Sequence, residues 1–285
     1  MTRSLLLALV ALLLVPAALA QSNAETRRVV LVNGTVLVGT VADESADPVV
    51  VVTNDGVEQR VPRARVAEIT PLIDGRFFRV DPTRTRLVLS PTGRTLGGGR
   101  TRVGTLFYVV PNATVGVSDR FDVSGTAFVS FGGDDFAIAP VVGAKLGLVD
   151  TGSFAAAVGT NVGVLLAGGD GAAVVTPYAA VTIGSELRSV SASVTGFIGG
   201  ELGGDFVTAD GVLLSFGGEL QVNNGLKLLL DALVPVAEGD NGAALLPGVR
   251  LFGDRYSVDV FGAIGIGGDG QVGGFAPLAN FAFTF

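Results

Sequence analysis

From about residue 84 the chain repeats one theme: a run in which apolar side chains alternate with small or polar ones, then a break rich in Gly, Asp and Asn. Successive side chains of a strand point to opposite faces, so a period of two marks a strand with one apolar face. Phe136, Ile138, Val142, Leu146 and Leu148 share one parity, against Ala137, Ala139, Gly143, Lys145 and Gly147. Phe154, Val158, Val162, Val164 and Leu166 oppose Ala155, Ala157, Gly159, Asn161 and Gly163. Leu226, Leu228, Leu230, Val234 and Val236 oppose Lys227 and Asp231, and Tyr256, Val258, Val260, Ile264 and Ile266 oppose Ser257, Asp259 and Gly265.

One parity throughout could lie in lipid; the other is mostly Gly, Ala and Ser with a charge or two per segment. That composition suits a narrow interior. A soluble sandwich would carry more Lys, Glu and Thr on its solvent face. The segments predict an all-β chain whose main part, residues 84–285, is a transmembrane antiparallel up-and-down β-barrel of about 12 strands. Segment 84–91 is the least regular, and because a single-chain barrel of this kind has an even number of strands, the alternative count is 10. Alternate breaks are tight, as at Ser118-Asp119-Arg120, Asp150-Thr151 and Asn223-Asn224, and those between them are longer, which predicts short turns at one end and longer loops at the other.

The first 70 residues follow another pattern. Arg3, an apolar run from Leu5 to Leu14, Pro16 and the small-x-small Ala18-Leu19-Ala20 predict a secretory signal peptide over 1–20. Residues 26–70 predict a small β-domain. Arg28–Val32 meets Asn33-Gly34, a strong hairpin signal, and Val49–Thr53 meets Asn54-Asp55-Gly56. Pro71, Asp74-Gly75 and Asp81-Pro82 predict a linker over 71–83.

Composition narrows the class. There is no Cys, so no disulfide holds this chain, and no His. Loss of His removes Ser–His and Cys–His catalysis and the usual imidazole metal ligands, so no enzyme, cofactor or metal is expected. Asp134-Asp135 and Asp269 lie in Gly-rich breaks without the spacing of a calcium loop and are expected to be solvated turn residues. No long plug is expected ahead of the barrel. Residues 21–100 hold eleven Arg against nine Asp or Glu, whereas residues 101–285 hold seven basic against seventeen acidic side chains. The split supports two units in different surroundings and gives no reason to expect nucleic acid.

Phe281, Phe283 and Phe285 share one parity. This tail resembles the C-terminal assembly signal of bacterial outer-membrane β-barrel proteins. The resemblance implies location in the outer membrane of a Gram-negative-type bacterium, contact with its lipid, recognition by the barrel-assembly machinery, and a periplasmic N-terminal domain. Residues 28–70 resemble, in their turn Gly and alternating Val alone, the small Sm-like and SH3-like barrels. Arg60, Arg63 and Arg65 are expected on a solvated edge, with an anionic envelope contact such as peptidoglycan or an envelope protein as the alternative.

The parity rule aims Lys145, Glu186, Glu201, Glu219, Lys227, Asp231, Arg250 and Asp259 into the lumen. Mixed signs there suit a buried network that fixes the interior. The alternatives are a narrow pore or small-solute pocket, and a structural barrel that anchors the small domain.

Overall fold

A computed structural model describes residues 26–53, 55–73, 76–77, 79–132, 135–167, 170–201, 206–237, 242–267 and 271–285. The expected signal peptide, Asn54, Asp134 and Asp269 lie outside the described residues, as does the side chain of Asp135. The chain divides between Ala67 and Glu68 into two compact units.

In the first unit, β1 (Thr26–Leu31), β2 (Val36–Val41), β3 (Val49–Thr53) and β4 (Glu58–Val61) form a meander; β5 (Val66–Ile73), next to β1 in the strand order, starts at the end of this unit and runs past the Ala67–Glu68 boundary. The expected hairpins are there. Gly34 and Gly56 take φ of +84° and +81°, the left-handed conformation that glycine adopts without steric cost. Val29, Leu31, Val49, Val51, Val61 and Val66 form the buried side. Arg60, Arg63 and Arg65 are exposed, and Arg60 pairs with Glu58 at 2.8 Å. Within the stretch expected to be a linker, β6 (Arg76–Phe77) pairs on β5 through Leu72 and Ile73.

The second unit is a closed antiparallel barrel of twelve strands. In order these are β7 (Thr101–Leu106), β8 (Val110–Ser118), β9 (Phe121–Gly132), β10 (Asp135–Asp150), β11 (Phe154–Ala167), β12 (Asp170–Gly184), β13 (Arg188–Glu201), β14 (Phe206–Asn223), β15 (Leu226–Ala237), β16 (Ala243–Phe252), β17 (Tyr256–Ile266) and β18 (Val272–Thr284). Each pairs with the next, and β18 closes on β7 through Phe281–Thr284 against Arg102–Thr105.

The predicted parity is realised. On β15, Leu228 and Leu230 are 45% and 49% exposed, whereas Lys227, Leu229 and Asp231 between them are buried. Val142, Leu146, Val190, Phe216, Leu251, Val260 and Phe281 continue the exposed apolar face. An apolar band this continuous is what a hydrocarbon solvent selects and water does not.

The strand count agrees with expectation, but the strands differ. Segment 84–91 is not a wall strand, and 101–117 is two strands joined at Phe107–Val109. In that turn Val109 N–H donates to Leu106 O at 3.2 Å, with Phe107 and Tyr108 at φ of +51° and +70°. Positive φ at both central residues is the hairpin turn that Asn-Gly normally supplies, and neither residue signals it in sequence. Tertiary contacts impose it here. Phe107 N–H donates to Asn280 Oδ1 at 3.1 Å, Tyr108 N–H to Ala279 O at 3.0 Å, and the Phe107 ring lies 6.3 Å from that of Phe261. The turns at 119–120, 151–153, 185–187, 224–225 and 253–255 mark one end of the barrel, called the near end below. The far-end contrast in loop length is weaker than expected: two residues separate β9 from β10 and β11 from β12, because these strands run on.

Candidate functional site

The lumen is occupied by the chain itself. Residues 79–100, between β6 and β7, enter at the near end, turn at Leu87–Ser90 and return to the near end at Thr101. Leu87 N–H donates to Ser90 O at 2.9 Å and Thr92 N–H to Thr85 O at 3.1 Å, and Arg86 and Pro91 form a bridge, so the segment is a bent hairpin. At its entry Arg79 ion-pairs with Asp254 at 2.5 Å and donates to Asn224 O at 3.0 Å, both in near-end turns. No long plug was expected ahead of the barrel, and what enters the lumen is this short hairpin. The short period-two pattern of 84–91 is real, but it belongs to an internal hairpin.

Side chains from most of the wall hold the hairpin. Asp231 caps the tip, accepting from Leu89 N–H and Ser90 N–H at 2.9 Å each and from the Ser90 hydroxyl at 2.6 Å. Val88 packs on Leu229, Leu246 and Phe261, which face inward at the same level. Gly217 on β14 leaves the space that the Leu87 side chain fills; a Cβ there would strike Leu87 and the neighbouring strand.

Below the tip runs a chain of alternating charges. Arg250 spends all five guanidinium N–H groups: two on Asp259 at 2.6 and 3.1 Å, one on Asp81 at 2.8 Å, one on Thr83 O at 2.8 Å and one on Leu87 O at 2.7 Å. Asp81 also meets Lys227 at 3.2 Å, and Lys227 meets Glu219 at 3.2 Å. Arg94 then lies 3.9 Å from Glu219 and 3.8 Å from Glu186, and Glu186 pairs with Arg84 at 3.1 Å. Four carboxylates thus face four cations.

Burial by itself would raise the Asp81 carboxyl, but Arg250 and Lys227 outweigh it and hold Asp81 below the usual carboxylate range. Glu186, in the turn between β12 and β13, behaves alike: burial opposes its ionisation, and Arg84 and Arg94 more than compensate.

Five of the eight side chains aimed inward by sequence, Glu186, Glu219, Lys227, Arg250 and Asp259, therefore meet in one chain. Asp231 caps the hairpin instead. Lys145 donates to the backbone carbonyls of Thr85 and Arg94 at 3.1 and 2.5 Å. Glu201 stands apart, exposed at the far end of β13. Sequence reasoning missed Asp81, Arg84, Arg86 and Arg94, which lie outside the wall, and also Arg102 and Asp122. The last two obey the parity rule on β7 and β9 and were legible from it.

A second cluster surrounds Thr85. The Arg102 guanidinium donates to the hydroxyls of Thr85 at 2.7 Å and Thr114 at 3.2 Å. With Arg86, Lys145, Asp122, Asn161 and Tyr178 it lines a cavity of about 200 Å³ in the lumen. A Cβ at Gly159 would run into the Tyr178 ring, so that glycine lets the ring lie across the wall. A shallower recess of about 590 Å³, lined by Leu233, Pro235, Ala244 and Val272 among others, lies against β15–β18.

Fold and site together define a class: a closed twelve-strand barrel with an apolar outer face and a lumen occupied by its own charged hairpin. No protein-family model matches the chain, and no curated protein matches it either. Among solved structures it is similar to the "KdgM porin in complex with disordered oligogalacturonate", at a TM-score of 0.44 and 10% identity, over 65% of this chain and 98% of that one. It is also similar to "Outer-membrane expressed OmpT of Vibrio cholerae", at a TM-score of 0.35 and 10% identity, over 65% and 93% of the two chains. Likenesses this distant carry nothing about ligand or activity.

Proposed function

We propose that this chain is an outer-membrane barrel that binds a small solute in a lumen closed at its near end, and that it acts without catalysis. The observation that carries the reading is the hairpin of residues 79–100. Its ion pairs to Glu186, Glu219, Lys227, Arg250 and Asp259 close the near end, while the cavity around Thr85 leaves polar space beside it. The exposed apolar band supports a lipid surround. In this reading the near end faces the periplasm, the small β-unit lies there, and the Phe281, Phe283 and Phe285 tail is the signal read by the assembly machinery.

Single-channel recording in planar bilayers tests it. The full-length chain is expected to stay silent or nearly so, and replacing Asp81 and Asp231 by Ala, which frees the base and the tip of the hairpin, is expected to introduce discrete openings. A steady, unblocked conductance from the unaltered chain would overturn the reading. A second reading, a barrel that only anchors the small β-unit to envelope proteins or peptidoglycan, is favoured by the full satisfaction of Arg250. It expects no solute binding, and no openings in any folded variant.

A further inference from the structure

The two groups of buried charge in the lumen differ in balance. In the chain from Asp259 to Arg84, carboxylates and cations alternate one for one. Around Thr85 three cations, Arg86, Arg102 and Lys145, meet a single carboxylate, Asp122. Asp259 comes within 3.9 Å of Arg86, but both of its oxygens already accept from Arg250. Asp231 is occupied by the hairpin tip.

The donors are left over as well as the charge. Arg86, Arg102 and Lys145 are all more than nine-tenths buried, and among the described residues Nε of Arg86 and Nε of Arg102 are buried without a hydrogen-bond partner. A buried cation without a compensating charge is strongly unfavourable, so such a surplus calls for a partner. Here the surplus borders a cavity of about 200 Å³ that Asn161 and Tyr178 also line.

We propose that this cavity is a binding site for a small oxyanion, a carboxylate- or phosphate-bearing solute. The inference rests on the reading of the lumen as a solute site and names the chemistry of that solute. Two guanidinium planes and one ammonium supply charge-assisted donors to the anionic group, a fork geometry suited to carboxylate and phosphate. Asn161 and Tyr178 supply donors to the rest of the solute. Asp122, whose Oδ1 also lacks a partner, opposes a second negative charge on its side.

Calorimetric titration of the full-length chain, folded in detergent micelles at fixed ionic strength, tests this. The probes are inorganic phosphate and succinate, with putrescine as the cationic control. Saturable one-site binding of phosphate or succinate is expected, and none of putrescine; the tighter of the two anions identifies which oxyanion the site prefers. Arg102→Gln and Lys145→Gln should each weaken the anion about tenfold, or roughly 1.4 kcal/mol. Asp122→Asn should tighten it, a gain that misfolding cannot produce. Failure of both anions to saturate, or equal affinity in the parent, Arg102→Gln and Lys145→Gln, would overturn the proposal. A silent bilayer with no anion binding removes this inference and leaves the closed lumen standing, whereas steady conductance removes the closed lumen itself.

Discussion

Arg250 on β16 and Asp259 on β17 are direct partners in the strand ladder, and their side chains meet inside the barrel in a two-point ion pair at 2.6 and 3.1 Å. The pair is wholly buried, and the remaining donors of Arg250 reach Asp81, Thr83 and Leu87 of the hairpin. One wall residue thus joins two strands to the segment that fills them. Removing one partner of a buried pair leaves an uncompensated charge, which typically costs about 3–5 kcal/mol. Asp259→Ala is therefore expected to destabilise by that order, and Arg250→Met with Asp259→Leu and Asp81→Leu by clearly less than the sum of the single changes. Urea unfolding from micelles, followed by circular dichroism, checks both. Additive losses would show that the three side chains do not act as a unit.

Asp81 and Glu186 predict a pH dependence. Both are held below the usual carboxylate range in the folded chain. Between the folded and unfolded values the unfolded chain binds more protons, so stability rises with pH through that window. Their contribution is complete above the unfolded carboxylate range of about 4 and is lost as pH falls below it. The unfolding midpoint should therefore drop between pH 6 and pH 3, and the drop should be smaller in Asp81→Asn. An identical drop in that variant would assign the effect to other groups.

The turn between β7 and β8 predicts a gain. Tyr108 holds a φ of +70° and its side chain is largely exposed. A left-handed non-glycine residue carries strain of order 1 kcal/mol or more. Tyr108→Gly relieves it without touching the Phe107–Phe261 contact, so a rise in stability of about 1 kcal/mol is expected. Phe107→Gly, which removes that ring, should lower stability instead. Thermal unfolding of the two variants side by side separates the strain from the packing.

The outer face predicts a lipid-dependent cost. Leu230 is exposed in mid-strand, and an Arg facing the middle of a bilayer costs roughly 2–4 kcal/mol in a barrel of this kind. Leu230→Arg should fold into vesicles far less well than Glu201→Arg, a change at an exposed far-end position. Equal folding yields from the two would remove the lipid-facing assignment of this parity.

How much was legible follows from the range of the interactions. Alternation is local: in a strand, neighbouring side chains point opposite ways, so a run of a dozen residues reveals both faces before any partner is known. That is why Leu228 and Leu230 outside, and Lys227 and Asp231 inside, could be assigned from sequence alone, and why the twelve-strand antiparallel closure was expected. The same rule found most of the inward charges. It found none of what they hold, because Asp231 meets Leu89 across 142 residues and Arg250 meets Asp81 across 169.

The hairpin of residues 79–100 was hidden for a further reason. Its Arg, Thr and Leu pattern over 84–91 has the period of a wall strand, and a local period cannot say whether a strand-like segment lies in the wall or inside it. The Phe107–Tyr108 turn was hidden because its positive φ angles come from Asn280, Ala279 and Phe261 and not from turn-forming residues. The sequence by itself determined the faces: which side chains meet the apolar surround and which line the interior. Only the tertiary structure decided what fills that interior and where a surplus of positive charge is left, because charge balance in a closed space depends on every element that enters it.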